Sequence, residues 1–503
     1  MKVAVGQINP LTGDWDGNAD RIIAAASSID QAWFRGSEPV LVLPRFALSG
    51  TGLGDMTGSP DMVKGMRDAE MKVTATVPSW LTVVYGTVSP LGVEEVVVAR
   101  AGAVKRLVGD GTSNLVSLGE DWVQIVLEGK GVNYKDVTEE NLIVLAADPY
   151  TPDAIGERVK RVDDLMWATW CRNAVYVNLV GGQDELVYDG MSLIVDRNGA
   201  VVDHLPRFEE EVRFVDTDAL VAGRRCDLTR DEVADTYRAI VLGVRDYARR
   251  NRMGKVVLGA SGGIDSALVL TIAADAIGAE NVIGISMPSK YSSQHSQDDA
   301  EELMCRLGGE FRKVPIAPMV DVFQGALALD GVAEENLQAR VRGVIVMGVA
   351  NTENALVLEP GNASEAAVGY ATIYGDTVGG YAPISDVYKT DVYRLAAWRN
   401  TLPDSPIPES TMMKAPSAEL RPGQVDSDSL PDYEVLDAVL RDMFEGGLEF
   451  DRDALYARHD KDVVDLVLWK VRTAEWKRRQ TAFGPRVSSY SFAHDRRVPV
   501  SRA

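Results

Sequence analysis

The chain has 503 residues, of which 46% are apolar and 25% charged, with 45 glycines and a formal net charge of −22. That length exceeds what one hydrophobic core normally serves, so two domains are expected, and the composition is that of a soluble α/β enzyme. So acidic a chain lacks the surplus of Lys and Arg that general binding to nucleic acid or an anionic membrane requires, which argues against both as partners.

From the N-terminus, short Val-rich runs alternate with polar turns: "KVAVGQI", "PVLVLP", "LTVVYGTV", "EEVVVARAG", "WVQIVLEG", "NLIVLAAD", "AVYVNLV" and "MSLIVDRNGAVVDHL". Two stretches between them, "NADRIIAAASSIDQAWFRG" and "ERVKRVDDLMWATWCRN", carry helical periodicity. Many strands with few helices predict a layered α/β sandwich over roughly the first 215 residues. Residues 207–252 are highly charged and then turn helical behind Asp and Thr caps, which predicts a connector and the opening helix of a second domain. From residue 255 strands and helices alternate as a parallel sheet with crossover helices requires. The expected domains are 1–225 and 226–503.

Cys171, Cys226 and Cys305 are odd in number and far apart, which suits a reducing compartment and not a disulfide framework. His204, His295, His459 and His494 form no zinc-ligand spacing with them. The opening "MKVAVGQINP" has too short an apolar run for a signal peptide, so a cytoplasmic location is expected.

The informative stretch is "VVLGASGGIDSALVL", residues 256–270. An apolar run ending in Ser-Gly-Gly and opening a helix aims backbone N–H groups at one spot, where the helix dipole favours an anion. Gly262 and Gly263 allow close backbone approach. Ser261 and Ser266 add hydroxyl donors, and Asp265 beside a phosphate makes sense mainly as a magnesium ligand. Two glycines alone are equally well a turn that merely needs them, but the order Ser-Gly-Gly-Ile-Asp-Ser is far more specific.

"SGGIDSA" resembles the pyrophosphate loop of the ATP pyrophosphatases, which cleave ATP between its α and β phosphates. The rest of the second domain resembles the two-domain, glutamine-dependent NAD synthetases. The matching segments are "MPSKYSSQHSQDDA", "ENLQARVRG", "GNASEAAVGYATIYGDTVGGYAPISDVYKT", "APSAELRPGQVDSDSLPDYEVLD" and "EWKRRQTAFGPRV". The resemblance implies an ATP pyrophosphatase fold behind a nitrilase-like αββα sandwich, with ATP and magnesium as cofactors. It implies that Asp265 and Glu365 hold magnesium and that Lys389 contacts the ATP phosphates, with Lys389 and Asp265 carrying the chemistry. Ser261, Gly262, Gly263, Ser266 and Met287 would line the ATP site, and Asn336, Arg340 and Asp376 would face the dinucleotide.

Each of these also has a plainer reading: Asp376 as a turn cap, Arg340 as a surface ion pair, Glu365 as a solvated helix residue. Between Lys470 and the C-terminus stand nine Lys or Arg, against Glu475 and Asp495. This patch suits either an acidic neighbouring subunit or the dinucleotide, with Lys477 as a substrate contact. The implied reaction is attack of the substrate carboxylate on the α-phosphate of ATP, loss of pyrophosphate, and capture of the acyl-adenylate by ammonia. Family members are homo-oligomers, so at least a dimer is expected.

The first domain resembles the nitrilase-like glutaminase of the same family through "VGQINPLTGDWDGNADRI" and "VYVNLVGGQDELVYDGMSLIVDRNGAVVDHLPRFEEE". Those domains use a Glu-Lys-Cys triad. In "PRFALSGT" Arg45 stands in the place of the glutamate, and a guanidinium cannot act as a base near neutrality. In "WVQIVLEGKG" Leu127 or a neighbour stands in the place of the cysteine. Cys171 is expected to be a packed thiol in a helix, and Lys105 is not promoted to the lysine's role. Within the synthetase domain Pro360 and Ala363 replace a hydroxyl and a lysine, and Tyr490 replaces a basic residue. Three readings stay open: an ammonia-using NAD synthetase, a paralogue acting on another carboxylate or amine, and a non-catalytic nucleotide-binding scaffold.

Overall fold

In the strand Lys2–Gln7, Val3 and Val5 lie on one face and Ala4 on the other, and all three are buried. A strand covered on both faces needs a layer above and a layer below, and both are present in the computed structural model. Residues 1–108, 114–118, 121–128, 141–220, 224–491, 495, 496 and 498–501 are described; His494, Arg497 and Arg502 lie outside them. The chain divides into two compact units, Met1–Arg230 and Asp231–Ala503.

The first unit holds two six-stranded sheets. One runs in the order Glu211–Asp216, Lys2–Gln7, Val40–Val42, Thr82–Val88, Glu94–Arg100, Ala103–Val108. The other runs Val201–His204, Leu193–Val195, Asn173–Val177, Asn141–Leu145, Asp121–Leu127, Asn114–Leu118. Alternation along the strands feeds three apolar layers. Ala4, Leu41, Val83 and Tyr85 pack with Ile22 and Met62 of the helices Trp15–Ser27 and Pro60–Thr76. Val3, Val42 and Val84 meet Ile125, Leu127 and Ile143 between the sheets. Leu142, Val144 and Tyr176 pack with Val162 and Met166 of the helix Ala154–Thr169. The result is an αββα sandwich.

Three expectations are corrected here. Glu211–Asp216, in the stretch expected to be a connector, is a strand that pairs antiparallel with Lys2–Gln7; its charged flanks mask a short alternating run. Cys171 is not helical, because the helix ends at Thr169, where Trp170 takes a φ of 56° and turns the chain toward the strand Asn173–Val177. Cys226 belongs to the first unit and packs against the same apolar layer as Cys171. The second unit opens at Asp231, whose carboxylate accepts the N–H groups of Val233 and Ala234 and so caps the helix Glu232–Arg250.

The second unit is built on a four-stranded parallel sheet in the order Glu310–Lys313, Val282–Ser286, Lys255–Gly259, Ala355–Val357. The chain winds outward from Lys255–Gly259 through the helices Ile264–Ile277 and Gln294–Leu307. It then returns by the helix Val332–Glu353 to place Ala355–Val357 on the other side of the first strand. The direction of winding therefore reverses between Lys255–Gly259 and Ala355–Val357. In open parallel sheets, ligands bind beyond the carboxyl ends of the strands at such a reversal. No helix among the described residues is long and apolar enough to cross a membrane.

Candidate active site

The strand Lys255–Gly259 is followed by Ala260, Ser261, Gly262 and Gly263, and then by the helix Ile264–Ile277. Gly262 has a φ of +77°, and a β-carbon there would stand 2.1 Å from the carbonyl oxygen of Ser296, so only glycine fits. The loop is tied internally. The Gly263 N–H donates to Ser261 Oγ at 3.2 Å, Ser266 Oγ donates to the Gly263 carbonyl at 3.0 Å, and the two hydroxyls are 2.9 Å apart. No side chain caps the helix at Gly263. Its first N–H groups therefore keep the partial positive charge that attracts an anion.

Across the reversal point, the residues after Ala355–Val357 supply the second wall. Asn362 caps the short helix Ala363–Val368 by accepting the Glu365 N–H at 3.0 Å, and its amide donates to Asp265 Oδ1 at 2.9 Å. Lys389 opens the helix Lys389–Arg399, where its backbone N–H donates to Ser364 Oγ at 2.8 Å. A lysine at a helix N-terminus opposes the helix dipole, and two carboxylates offset this. Its Nζ lies 2.5 Å from Asp265 Oδ2 and 3.2 Å from Glu365 Oε1, with the side chain 2% exposed. Burial disfavours the Lys389 charge, but Asp265 and Glu365 more than offset it and hold the ammonium well above its ordinary pKa. Burial pushes the Glu365 carboxyl up; Lys389 opposes this and Asp265 adds to it.

A single cavity joins these groups. Its walls include Ser261, Gly263, Asp265, Ser266, Met287, Glu365, Asp376 and Lys389. Asn336, Arg340 and Lys477 are not among its lining residues. Instead they hold the loop that carries Asp376: Asn336 Oδ1 accepts from Thr372 Oγ1 at 2.8 Å, Arg340 Nε donates to the Ile373 carbonyl at 3.2 Å, and Lys477 Nζ donates to the carbonyls of Gly369 and Ala371 at 2.8 and 2.7 Å. Asp376 Oδ1 accepts the Thr372 N–H, so it caps this turn as well as facing the cavity. Much of the basic C-terminal patch is neutralised internally. Arg478, Arg479 and Arg496 pair with Glu475, and Arg486 pairs with Asp495.

The cavity also contains residues that motif spacing does not mark. Arg342 donates through Nε to the Met287 carbonyl at 3.1 Å, and burial lowers its guanidinium to about 10. Glu419 accepts from Ser296 Oγ at 2.6 Å and lies 3.4 Å from Lys414 Nζ. Glu359 lines the wall beyond Ala355–Val357. Pro360 lines it too, whereas Ala363 is buried in an apolar cluster with Tyr388 and Leu430. Tyr490 stacks on Phe444 at 5.5 Å.

Residues 236–481 match the family model for NAD synthase. The chain is 37% identical to the glutamine-dependent NAD(+) synthetase of Acinetobacter baylyi over 99% of its own length and 98% of the other. The chain belongs to the glutamine-dependent NAD+ synthetase family. The Thermotoga maritima member is 36% identical over 100% of this chain and 98% of its own. Among solved structures, the glutamine-dependent NAD+ synthetase of Acinetobacter baumannii, in complex with ADP, gives a TM-score of 0.72 at 32% identity, over 99% of this chain and 98% of that one. The Cytophaga hutchinsonii enzyme gives 0.83 at 18% identity over 100% and 98%, a likeness of fold.

In the first unit, Arg45 and Leu127 stand at the positions where a glutaminase base and thiol are expected. Arg45 follows the strand Val40–Val42 and Leu127 ends the strand Asp121–Leu127. Arg45 Nη1 donates to the carbonyl of Glu128, so the two positions are neighbours. Around them is a network of charges. Arg45 pairs with Glu94, and the Glu128 carboxylate accepts from Arg161 Nε at 2.9 Å and from Tyr176 OH at 2.7 Å. Asp148 pairs with both Arg161 and Arg158. Leu127 points into the layer between the sheets, whereas Cys171 and Cys226 pack in the layer on the helix side of the second sheet. Lys105 is exposed on the strand Ala103–Val108.

Proposed function

We propose that this chain amidates nicotinic acid adenine dinucleotide with free ammonia, giving NAD, AMP and pyrophosphate, and that its first unit does not hydrolyse glutamine. Family membership makes it an ATP-dependent carbon–nitrogen ligase that forms NAD by amidation. The observation that carries the reading of the site is the convergence of Asp265, Glu365 and Lys389 beside an uncapped helix N-terminus and a glycine loop.

The carboxylates of Asp265 and Glu365 both reach the Lys389 ammonium, so their oxygens lie within reach of one cation. Two hard oxygen donors, with phosphates and water completing the shell, are what magnesium accepts. When bound there, magnesium supplies positive charge where pyrophosphate departs. The loop N–H groups and Ser261 and Ser266 bind the phosphates, and Met287 packs beside the adenosine. Lys389, already charged and held in place, stabilises charge building on the phosphates as the substrate carboxylate attacks. Asp376 faces the dinucleotide, while Asn336, Arg340 and Lys477 act on it through the loop they fix.

Ammonia use is supported by Arg45 and Leu127. A base and a thiolate are both needed for amide hydrolysis by the family's triad, and neither side chain supplies one. The homo-oligomer is supported by apolar residues exposed on the helices Ala317–Leu327 and Val332–Glu353, among them Val322, Phe323, Val332 and Val344, since such a patch marks an interaction surface. The decisive assay supplies ATP, magnesium and the dinucleotide with either ammonium or glutamine. NAD should form with ammonium and not with glutamine alone. Robust synthesis from glutamine would overturn the ammonia reading, and ATP turnover only on another carboxylic acid would overturn the substrate.

A further inference from the structure

Glu359 follows the strand Ala355–Val357, on the lip of the cleft that faces the glycine loop. Its backbone N–H donates to the Tyr381 carbonyl at 2.9 Å. A β-carbon on Gly379 would stand 2.9 Å from Glu359 Cβ, so the stem is held tightly. Only 4% of the residue is exposed, yet it lines the cavity. Oε2 accepts the Ala482 N–H at 3.1 Å. Oε1 receives no hydrogen bond and no ion pair from any described residue. A β-carbon on Gly361 would come within 3.2 Å of Oε1. The free oxygen therefore lies over the turn that leads to Asn362 and, through its amide, to Asp265.

Oε1 still touches the cavity and is not sealed from solvent, which leaves a donor entering the cleft an open position. The cations of the cleft do not fill it: Lys389 is held by Asp265 and Glu365, Lys414 by Ser296 and Glu419, and Arg342 donates to Met287. The substrate carboxylate and the phosphates are anions that a carboxylate repels. Of the three reacting groups, carboxylate, phosphate and amine, the amine is the one that brings N–H donors.

We propose that Glu359 receives the amine: Oε1 accepts a hydrogen bond from ammonia in the cleft and takes the proton that nitrogen sheds as the amide forms. The nitrogen lone pair makes the C–N bond to the acyl carbon. The bond from that carbon to the adenylate oxygen breaks, and AMP leaves with the electron pair. One proton passes from nitrogen to Glu359, so the neutral amide, the AMP dianion and the protonated carboxyl balance acyl-adenylate, ammonia and carboxylate. Burial raises the Glu359 carboxyl to about 8, with the Ala482 N–H opposing and Asp376 and Glu365 reinforcing. That is close to the range in which a general base is most effective.

This inference rests on the reading of the site as an amidating centre, and three measurements on the full chain separate the two. ATP–pyrophosphate exchange with the dinucleotide reports adenylation before any amine enters. An ammonium titration reports amidation, and hydroxylamine, largely unprotonated near neutral pH, reports capture of the acyl-adenylate by an amine that needs less help. In Glu359→Gln, kcat/KM for ammonium should fall about 10²-fold, as for a lost general base. Exchange and hydroxylamine capture should fall far less. Glu359→Asp should recover part of the ammonium rate, and it carries the comparison if the Gln variant does not fold. Equal losses in exchange and amidation, or an unchanged ammonium kcat/KM, would overturn the role of Glu359 alone. Absence of exchange in the wild type would overturn the substrate reading and this inference with it.

Discussion

Arg45 grips the Glu94 carboxylate with Nε at 3.0 Å and Nη2 at 2.5 Å, and its third nitrogen takes the carbonyl of Glu128. The group standing where a base is expected is thus a cation with three of its five donors committed. Purified protein should release no glutamate from glutamine. Arg45→Glu should not create that activity, because no thiol stands at Leu127, and it should lower stability by about 1–3 kcal/mol by leaving Glu94 beside another buried carboxylate. Cys171→Ala should leave glutamate release at background and ammonium-driven synthesis in place. A glutaminase assay before and after thiol alkylation checks all three.

Lys389→Ala removes the ammonium that pairs with both Asp265 and Glu365. Adenylation, read as pyrophosphate exchange, should slow by about 10²-fold or more, as when a preorganised charge stabiliser is removed. Asp265→Asn should abolish product formation while the circular dichroism spectrum is preserved. Wild-type exchange in either variant would remove that residue from the chemistry.

Gly262→Ala places a methyl group against backbone, 2.1 Å from the Ser296 oxygen, at a φ of +77°. The loop must shift, so ATP binding measured by calorimetry should weaken by at least about tenfold, and thermal stability should drop by about 1–3 kcal/mol. Gly254→Ala is the control, because a β-carbon there meets nothing within 4 Å.

The Glu359 carboxyl also makes stability depend on pH. Its folded pKa, about 8, lies above the ordinary carboxylate value of 4.5. Its contribution is therefore fully present below the unfolded value and is lost as pH rises through the folded one. Between pH of about 5.5 and 8, urea unfolding should show the wild type losing roughly 3 kcal/mol relative to Glu359→Gln. A difference that stays flat across that range would mean that the carboxyl is ionised throughout.

Much of this site is legible in sequence because its parts are local. Ser261 to Ser266 form one turn, so six consecutive letters mark the proposed phosphate seat, and Asp265 sits on the first turn of the following helix. Lys389 and Glu365 are distant in sequence but lie in a motif-rich stretch that marks them. Asn336, Arg340 and Lys477 are expected to face the dinucleotide, and the bonds of their side chains go to the loop of residues 369–373, which spacing does not reveal. Glu359 has no pattern at all, since "VLEPGN" reads as a strand end before proline and its burial arises only when Gly379 and Ala482 close around it. The charge network of Glu94, Glu128 and Arg161 is equally hidden, because it joins two strand ends and a helix. The strand Glu211–Asp216 is not legible because its partner is the first strand of the chain.

Gly262 rests on the carbonyl of Ser296, and the hydroxyl of that same serine donates to Glu419 and receives Lys414. Packed atoms pass displacement on instead of absorbing it. A shift of the loop would therefore press on Ser296, whose hydroxyl bonds Lys414 and Glu419 directly. Residues 414–419 thus lie one serine away from the proposed nucleotide seat, and a fluorophore on Ala418, which is exposed at the cavity's rim, would report occupancy of the loop.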